Sequence, residues 1–188
     1  IDDPSKFEAR HNTLYDGRAI FSLATYPGYD ISQLIVINNE EELREMCESK
    51  LRGHTRMGFD LEWHSYRSYL GVTCTIQLNV GQTVIIVDAL RCFDSISECL
   101  GPFFEDPNIL KCGLCIDQDV AFLFRDFGIV SRAVVDLQKF AALLHPDQIQ
   151  LGYVDMLKLC ECHPTDIKRM TMHKETTRHM DWRLRPLT

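Results

Sequence analysis

Arg56-Met57-Gly58-Phe59-Asp60-Leu61-Glu62 reads as a β-strand, and alternation along a strand sends Asp60 and Glu62 to one face. Two carboxylates aimed into one small volume repel each other, so the arrangement is costly unless a cation, a shared proton or abundant water offsets it. A paired acid at the end of a hydrophobic strand is therefore a candidate site for a hard cation. Taken alone, an Asp-x-Glu pair reads more readily as a solvated or salt-bridged face. Its context argues otherwise, because Trp63-His64-Ser65-Tyr66-Arg67 follows as a polar, aromatic loop at the strand end, where sites on mixed α/β sheets gather.

Outward from this strand, Gln33-Leu34-Ile35-Val36-Ile37 reads as a short strand, and Asn39 followed by Glu40, Glu41 and Glu42 as a helix start. Leu43, Met46 and Leu51 continue that helix on one apolar face. Strand-like runs at about 72 to 79 and 82 to 88 meet at a tight turn on Gly81. The rhythm then changes to strand and helix in alternation. Helices are expected over Ile96 to Phe104, Val120 to Phe127, Leu137 to Leu144 and Leu151 to Cys160, with strands over Ile109 to Leu114 and at Val134-Val135. A three-strand meander followed by βα units implies an α/β fold with a mixed sheet flanked by helices. Residues 1–31, rich in turn formers and aromatics, read as an extended N-terminal arm ahead of a domain spanning 32–188.

A third acid, Asp119, follows the strand near Leu114 at the start of a helix. Asp at that place is ordinarily a cap, but Asp117 fits the capping role at least as well. Asp119 is then free to point across the sheet end toward Asp60 and Glu62. Three hard oxygen ligands suit Mg²⁺ or Mn²⁺ rather than zinc.

The pattern resembles the DEDD 3′-5′ exonucleases of the ribonuclease D branch, and most closely the catalytic domain of the nuclear exosome's ribonuclease-D-like subunits. The likeness runs from Gly58-Phe59-Asp60-Leu61-Glu62-Trp63-His64-Ser65-Tyr66-Arg67-Ser68-Tyr69 through Gly71, Thr73-Cys74 and Gln77. It continues from Lys111 to Asp119-Val120 and Asp126-Phe127-Gly128, then in Asp136-Leu137-Gln138 and in Asp181-Trp182-Arg183-Leu184-Arg185-Pro186-Leu187. The resemblance implies a ribonuclease H-like sheet in which Asp60, Glu62 and Asp119 hold two divalent cations. In such enzymes one ion lowers the pKa of the attacking water, and both stabilise charge on the phosphate and the departing 3′ oxygen. Single-stranded RNA 3′ ends are then the substrate, contacted by His64, Tyr66 and Arg67, and nucleoside monophosphates the product. A nucleus-located role in RNA processing and decay is implied, with exosome subunits as partners. The family's fourth Asp, and the Tyr or His before it, fall just beyond the Arg185-Pro186-Leu187 segment. The sequence stops at Thr188, so the domain is expected to be truncated before its third motif. A further departure is Leu114, where relatives carry His.

Bulk properties agree with this reading and exclude others. The 188 residues are 45% hydrophobic and 25% charged, as in an ordinary globular domain, and no apolar run approaches the roughly 20 residues that span a bilayer. No membrane partner is expected. The first residue is Ile1, which reads as the start of a fragment of something longer. Eight cysteines, scattered singly through apolar stretches, suggest a reducing compartment. Cys112 and Cys115 form a Cys-x-x-Cys spacing, but with Cys112 inside a strand they read as structural. Cys160, Cys162, His163, His173 and His179 offer zinc-ligand chemistry at a spacing too tight for the common knuckle. A net charge of −7 argues against indiscriminate phosphate binding, although Lys168, Arg169, Lys174, Arg178, Arg183 and Arg185 make the last segment locally basic. The competing readings are a DNA 3′-5′ exonuclease of the same fold and an exonuclease-like RNA-binding or scaffold module without catalysis.

Overall fold

The computed structural model describes residues 34–64, 69–144, 146 and 151–159. The expected N-terminal arm and the basic C-terminal segment, with Cys160, Cys162, His163, His173 and His179, lie outside the described residues.

Six strands form one mixed sheet: β1 (Leu34–Ile37), β2 (Arg56–His64), β3 (Val72–Val80), β4 (Thr83–Asp88), β5 (Leu110–Gly113) and β6 (Val134–Asp136), in the spatial order β1-β4-β3-β2-β5-β6. The meander is antiparallel, with β2 on β3 and β3 on β4, while β1 on β4, β2 on β5 and β5 on β6 are parallel. Helices fill the connections: α1 (Glu40–Met46), α2 (Phe93–Glu105), α3 (Asp117–Phe127), α4 (Leu137–Leu144) and α5 (Tyr153–Leu159). The meander followed by βα units is the architecture expected from the sequence.

Local chemistry sets the boundaries. Asn39 caps α1 by accepting the Glu42 N–H at 2.9 Å, and Glu42 reaches back to the Asn38 N–H at 3.3 Å. Instead of continuing regularly, α1 widens into a π turn over Cys47–Leu51, which brings Met46, Cys47 and Leu51 all into the core. The five-residue step from Met46 to Leu51 is the sequence trace of that widening. α2 begins at Phe93, earlier than the expected Ile96, because its first turn packs Ser95 and Ile96 inward. It ends where Asp106 turns extended (φ −69, ψ 117), as a residue before proline prefers. Gly128 closes α3 in the left-handed conformation at φ +69.

The core lies on one face of the sheet. Met57, Phe59 and Leu61 of β2 are buried with Ile76, Leu78 and Ile85, against Leu43 of α1, Leu100 and Phe104 of α2, and Leu123 and Phe127 of α3. Phe59 and Phe104 meet edge to face at 5.3 Å. The opposite face of β2 carries Gly58, Asp60 and Glu62.

Lys111 on β5 is buried completely, and its ammonium donates to the carbonyl oxygens of Asp106 (2.7 Å) and Phe103 (3.3 Å) at the end of α2. A cation there satisfies carbonyls left open by the helix end and opposes their partial negative charge. Replacing Lys111→Met keeps the apolar stem and strands those oxygens, so urea unfolding should show a loss of about 1 to 3 kcal/mol. A variant as stable as the parent would mean that water takes over both bonds.

Candidate active site

Register builds the site. β5 leaves the sheet after Gly113, and its Cys112 pairs with Gly58, so β2 runs on past its parallel neighbour exactly where it carries Asp60 and Glu62. The chain leaving β5 turns there into α3. On the other side Asp60 pairs with Gln77 and Glu62 with Thr75, before an irregularity between Glu62 and Trp63 shifts the register past Cys74. Alternation places His64 on the same face of β2 as the two acids.

Asp119 arrives from α3. It heads the buried stripe Asp119, Leu123 and Phe127, which the four-residue helical step lines up on one side. Asp117 does not cap this helix. The cap position is Ile116, which makes no side-chain cap bond, and Asp117 is an exposed first-turn acid paired with Lys139 Nζ at 2.6 Å. The expectation for Asp117 is thus corrected, since the tight turn before α3 leaves its side chain outside. Tyr66 and Arg67 lie outside the described residues.

Helix α3 is clamped to the meander by Asp126, whose Oδ2 accepts the Thr73 N–H (3.0 Å), the Thr73 hydroxyl (2.7 Å) and an Arg125 N–H (2.7 Å). These donors hold the Asp126 carboxyl below the usual carboxylate range despite its burial. Arg125 also donates to the Leu70 carbonyl and lies 4.0 Å from the Phe122 ring, which meets Trp63 edge to face at 5.2 Å. Clamp and stack together fix α3 against the end of β2.

The three acids feel one another. Burial pushes the Glu62 carboxyl up to about 7, with the charges of Asp60 and Asp119 adding to the effect. Burial likewise raises Asp119 to about 7, helped by Asp60 and Asp136. Burial raises Asp60 as well, although part of the residue stays exposed, with a backbone hydrogen bond from Leu61 working in the other direction. Among the described residues, no lysine or arginine forms an ion pair with any of the three. Nor, among the described residues, do any three Asp, Glu, His or Cys side chains stand close enough to cage an ion as they are. Thr75, opposite Glu62, is buried with a hydroxyl that has no hydrogen-bond partner among the described residues. Surplus negative charge, all-oxygen donors and an unmatched polar atom fit a hard divalent cation. The Cys-x-x-Cys pair does not join this chemistry: the Cys112 thiol, pushed up by burial, rests 3.6 Å from the Met57 carbonyl.

Asp136 was missed as a member of this electrostatic group. At a strand-to-helix boundary an Asp reads as a cap, and only the fold brings it within influence of Asp119. Gly113 was missed too: a Cβ there would lie 2.6 Å from the Phe59 carbonyl oxygen and 2.4 Å from Ile116 Cγ2. Only glycine lets the β5–α3 turn lie against β2 beside Asp60.

The profile of the 3′-5′ exonuclease domain matches residues 34–188, and the chain belongs to that family. Within it the chain is related to RRP6, to exosome component 10 and to ribonuclease D, on a ribonuclease H-like exonuclease fold. It is 34% identical to human exosome complex component 10 over 151 residues, which cover 80% of this chain and 16% of that protein. With the exosome complex exonuclease RRP6 of Saccharomyces cerevisiae it shares 26% over 162 residues, 85% of this chain and 20% of the relative. The catalytic core of RRP6 from Trypanosoma brucei superposes with a TM-score of 0.61 at 26% identity, over 88% of this chain and 41% of that one. Escherichia coli RNase D, described as an exoribonuclease involved in structured RNA processing, gives a TM-score of 0.67 at 25% identity over 81% of this chain and 38% of that one.

Because Glu62 and Asp119 bind protons more tightly folded than unfolded, stability should fall as pH rises from their ordinary carboxylate values to about 7. In metal-free buffer the melting temperature is expected to drop by about 4 °C or more across that window. Mg²⁺ or Mn²⁺ should restore it, and Glu62→Gln should raise the metal-free melting temperature near neutral pH. A melting temperature flat across the window and indifferent to both ions would remove the acids as a charge-strained site.

Proposed function

We propose that this domain hydrolyses single-stranded RNA from its 3′ end, one nucleoside monophosphate at a time, in a reaction that needs divalent cations. The observation that carries the reading is that Asp60 and Glu62 on β2 and Asp119 on α3 are all raised by burial, with the charge of Asp60 adding to the rise at both Glu62 and Asp119 and the charge of Asp119 to that at Glu62. These carboxylates would hold Mg²⁺ or Mn²⁺. When bound, such ions activate water and stabilise charge on a scissile phosphate.

The chain's own contribution is placement. The Asp126–Thr73 clamp and the Trp63–Phe122–Arg125 stack hold α3, which carries Asp119, against the sheet that bears Asp60 and Glu62. His64, two residues beyond Glu62 on the same strand, belongs to this reading as a contact to sugar or phosphate. Tyr66 and Arg67 belong to the same proposal as substrate contacts, one by stacking and one by charge. The carboxylates position the cations, which reconciles an acidic site with a polyanionic substrate.

RNA as substrate is supported by the relatives. RNase D of Trypanosoma brucei has been crystallised in complex with RNA U12, and the relatives include human exosome complex component 10. Nuclear RNA processing and decay, with exosome subunits as partners, is the setting that follows.

In the full natural polypeptide that carries these residues, 5′-labelled RNA with Mg²⁺ or Mn²⁺ should shorten stepwise while 3′-labelled RNA releases labelled mononucleotide at once. Asp119→Asn should lower the rate at least about 100-fold, the loss of a few kcal/mol of charge placement. Faster digestion of single-stranded DNA of the same sequence would assign the domain to the DNA branch. RNA binding without any hydrolysis would make it a non-catalytic binding module. Full activity in Asp119→Asn would take that residue out of the site.

A further inference from the structure

Asp136 ends β6 and caps α4, its Oδ1 accepting the Gln138 N–H at 2.9 Å. The same oxygen accepts a second N–H, that of Cys115, at 3.1 Å from a turn 21 residues earlier. A cap needs no such partner. Cys115 stands at φ +60, a left-handed conformation that costs a residue with a Cβ roughly 1 to 2 kcal/mol. Something must hold it there.

The turn between β5 and α3 is constrained from both sides. At Gly113 there is no room for a Cβ against Phe59 and Ile116, which fixes how closely the turn approaches β2. At Cys115 the Asp136 carboxylate fixes the left-handed kink that redirects the chain into α3. Asp119 sits in the first turn of that helix, so a change of φ at Cys115 swings its carboxylate relative to Asp60 and Glu62. Helix α3 is secured at its far end by Asp126; at the near end the Cys115 tie acts beside the exposed Asp117–Lys139 ion pair. The second oxygen of Asp136 is buried, without a hydrogen bond among the described residues, and Lys139 Nζ lies 4.0 Å from it. Lys139 is itself held by Asp117 at 2.6 Å. The cation therefore offsets the charge of Asp136 without drawing Oδ1 off the turn.

We propose that Asp136 is a positioning residue for the acid site: through its hydrogen bond to Cys115 it holds the β5–α3 turn left-handed and thereby sets where Asp119 stands against Asp60 and Glu62. The catalytic consequence rests on the exonuclease reading, whereas the tie is a property of the fold alone. Ligand sets of this kind tolerate displacements of only about 0.5 Å, so a loosened turn costs cation affinity before it costs the fold.

Two substitutions separate the tie from the cap. Asp136→Asn keeps an acceptor oxygen at the same reach, and both bonds survive. Asp136→Ser keeps a side chain that caps α4 well but falls one atom short of the Cys115 N–H. All variants are made in the full natural polypeptide: amide hydrogen exchange is measured without metal, Mn²⁺ affinity by calorimetry, and kcat and KM on labelled RNA. In Asp136→Ser, exchange over residues 115–119 should quicken about tenfold or more while α4 stays protected. Mn²⁺ binding should weaken about tenfold and kcat should fall with KM for RNA unchanged. Asp136→Asn should restore the protection and most of the affinity. Unchanged exchange at Cys115 in Asp136→Ser, or an Asn variant no better than the Ser variant, overturns the proposal. If the full natural polypeptide takes up no Mn²⁺ while the exchange pattern holds, the exonuclease reading falls and the tie stands.

Discussion

Burying Met57, Phe59 and Leu61 in one core decides where Asp60 and Glu62 must go. A strand has a two-residue period and no freedom to rotate one side chain to the other face without moving its neighbours. The same contacts that stabilise the domain, Phe59 against Phe104 above all, therefore present the two acids to the opposite face. The fold cannot relieve the repulsion between those carboxylates by slipping the register, because a one-residue slip would expose the core. The electrostatic cost is locked in, and it is this stored cost that a divalent cation can repay.

The meander and the βα units were legible in the sequence because their signals are periodic and local: alternation in β2 and β3, Gly81 at the hairpin, Gly128 at the helix end. The acids on β2 were legible for the same reason. What could not be read were features that depend on distant chain segments meeting. Asp117 and Asp119 differ by two residues in a helix start, and only the tight turn at Cys115 makes the first an exposed partner of Lys139 and the second a buried acid. The π turn after α1 left a trace in the spacing of Leu43, Met46 and Leu51, yet that spacing fits a regular helix nearly as well. Asp136 stood in the sequence only as part of the family-like segment Asp136-Leu137-Gln138; its bond to Cys115 exists only once β5 and β6 lie side by side.

Helix α3 is held against the sheet by polar bonds at both ends and by apolar contact between. Leu123 and Phe127 supply burial, Asp126 ties the C-terminal end to Thr73, and the turn at Cys115 holds the start. Apolar packing alone would tolerate small slides along the helix axis, since a buried leucine is indifferent to shifts that preserve its area. Hydrogen bonds are not, because their strength falls steeply with misalignment. Stability in this domain is thus largely the work of the core, and precision the work of a few directional bonds around it.

The placement of β2 also orders events during folding. Its antiparallel partner β3 follows closely in the chain, whereas its parallel partner β5 pairs Gly58 with Cys112 across a long intervening loop of sequence. Local pairings form readily, and non-local ones wait on the entropy of closing such a loop. Sequence separation alone predicts that Asp60 and Glu62 reach their places with the meander and Asp119 later, once β5 and α3 pack. A chain with only the meander formed would present Asp60 and Glu62 without Asp119, whose arrival waits on β5 and the helix that follows it.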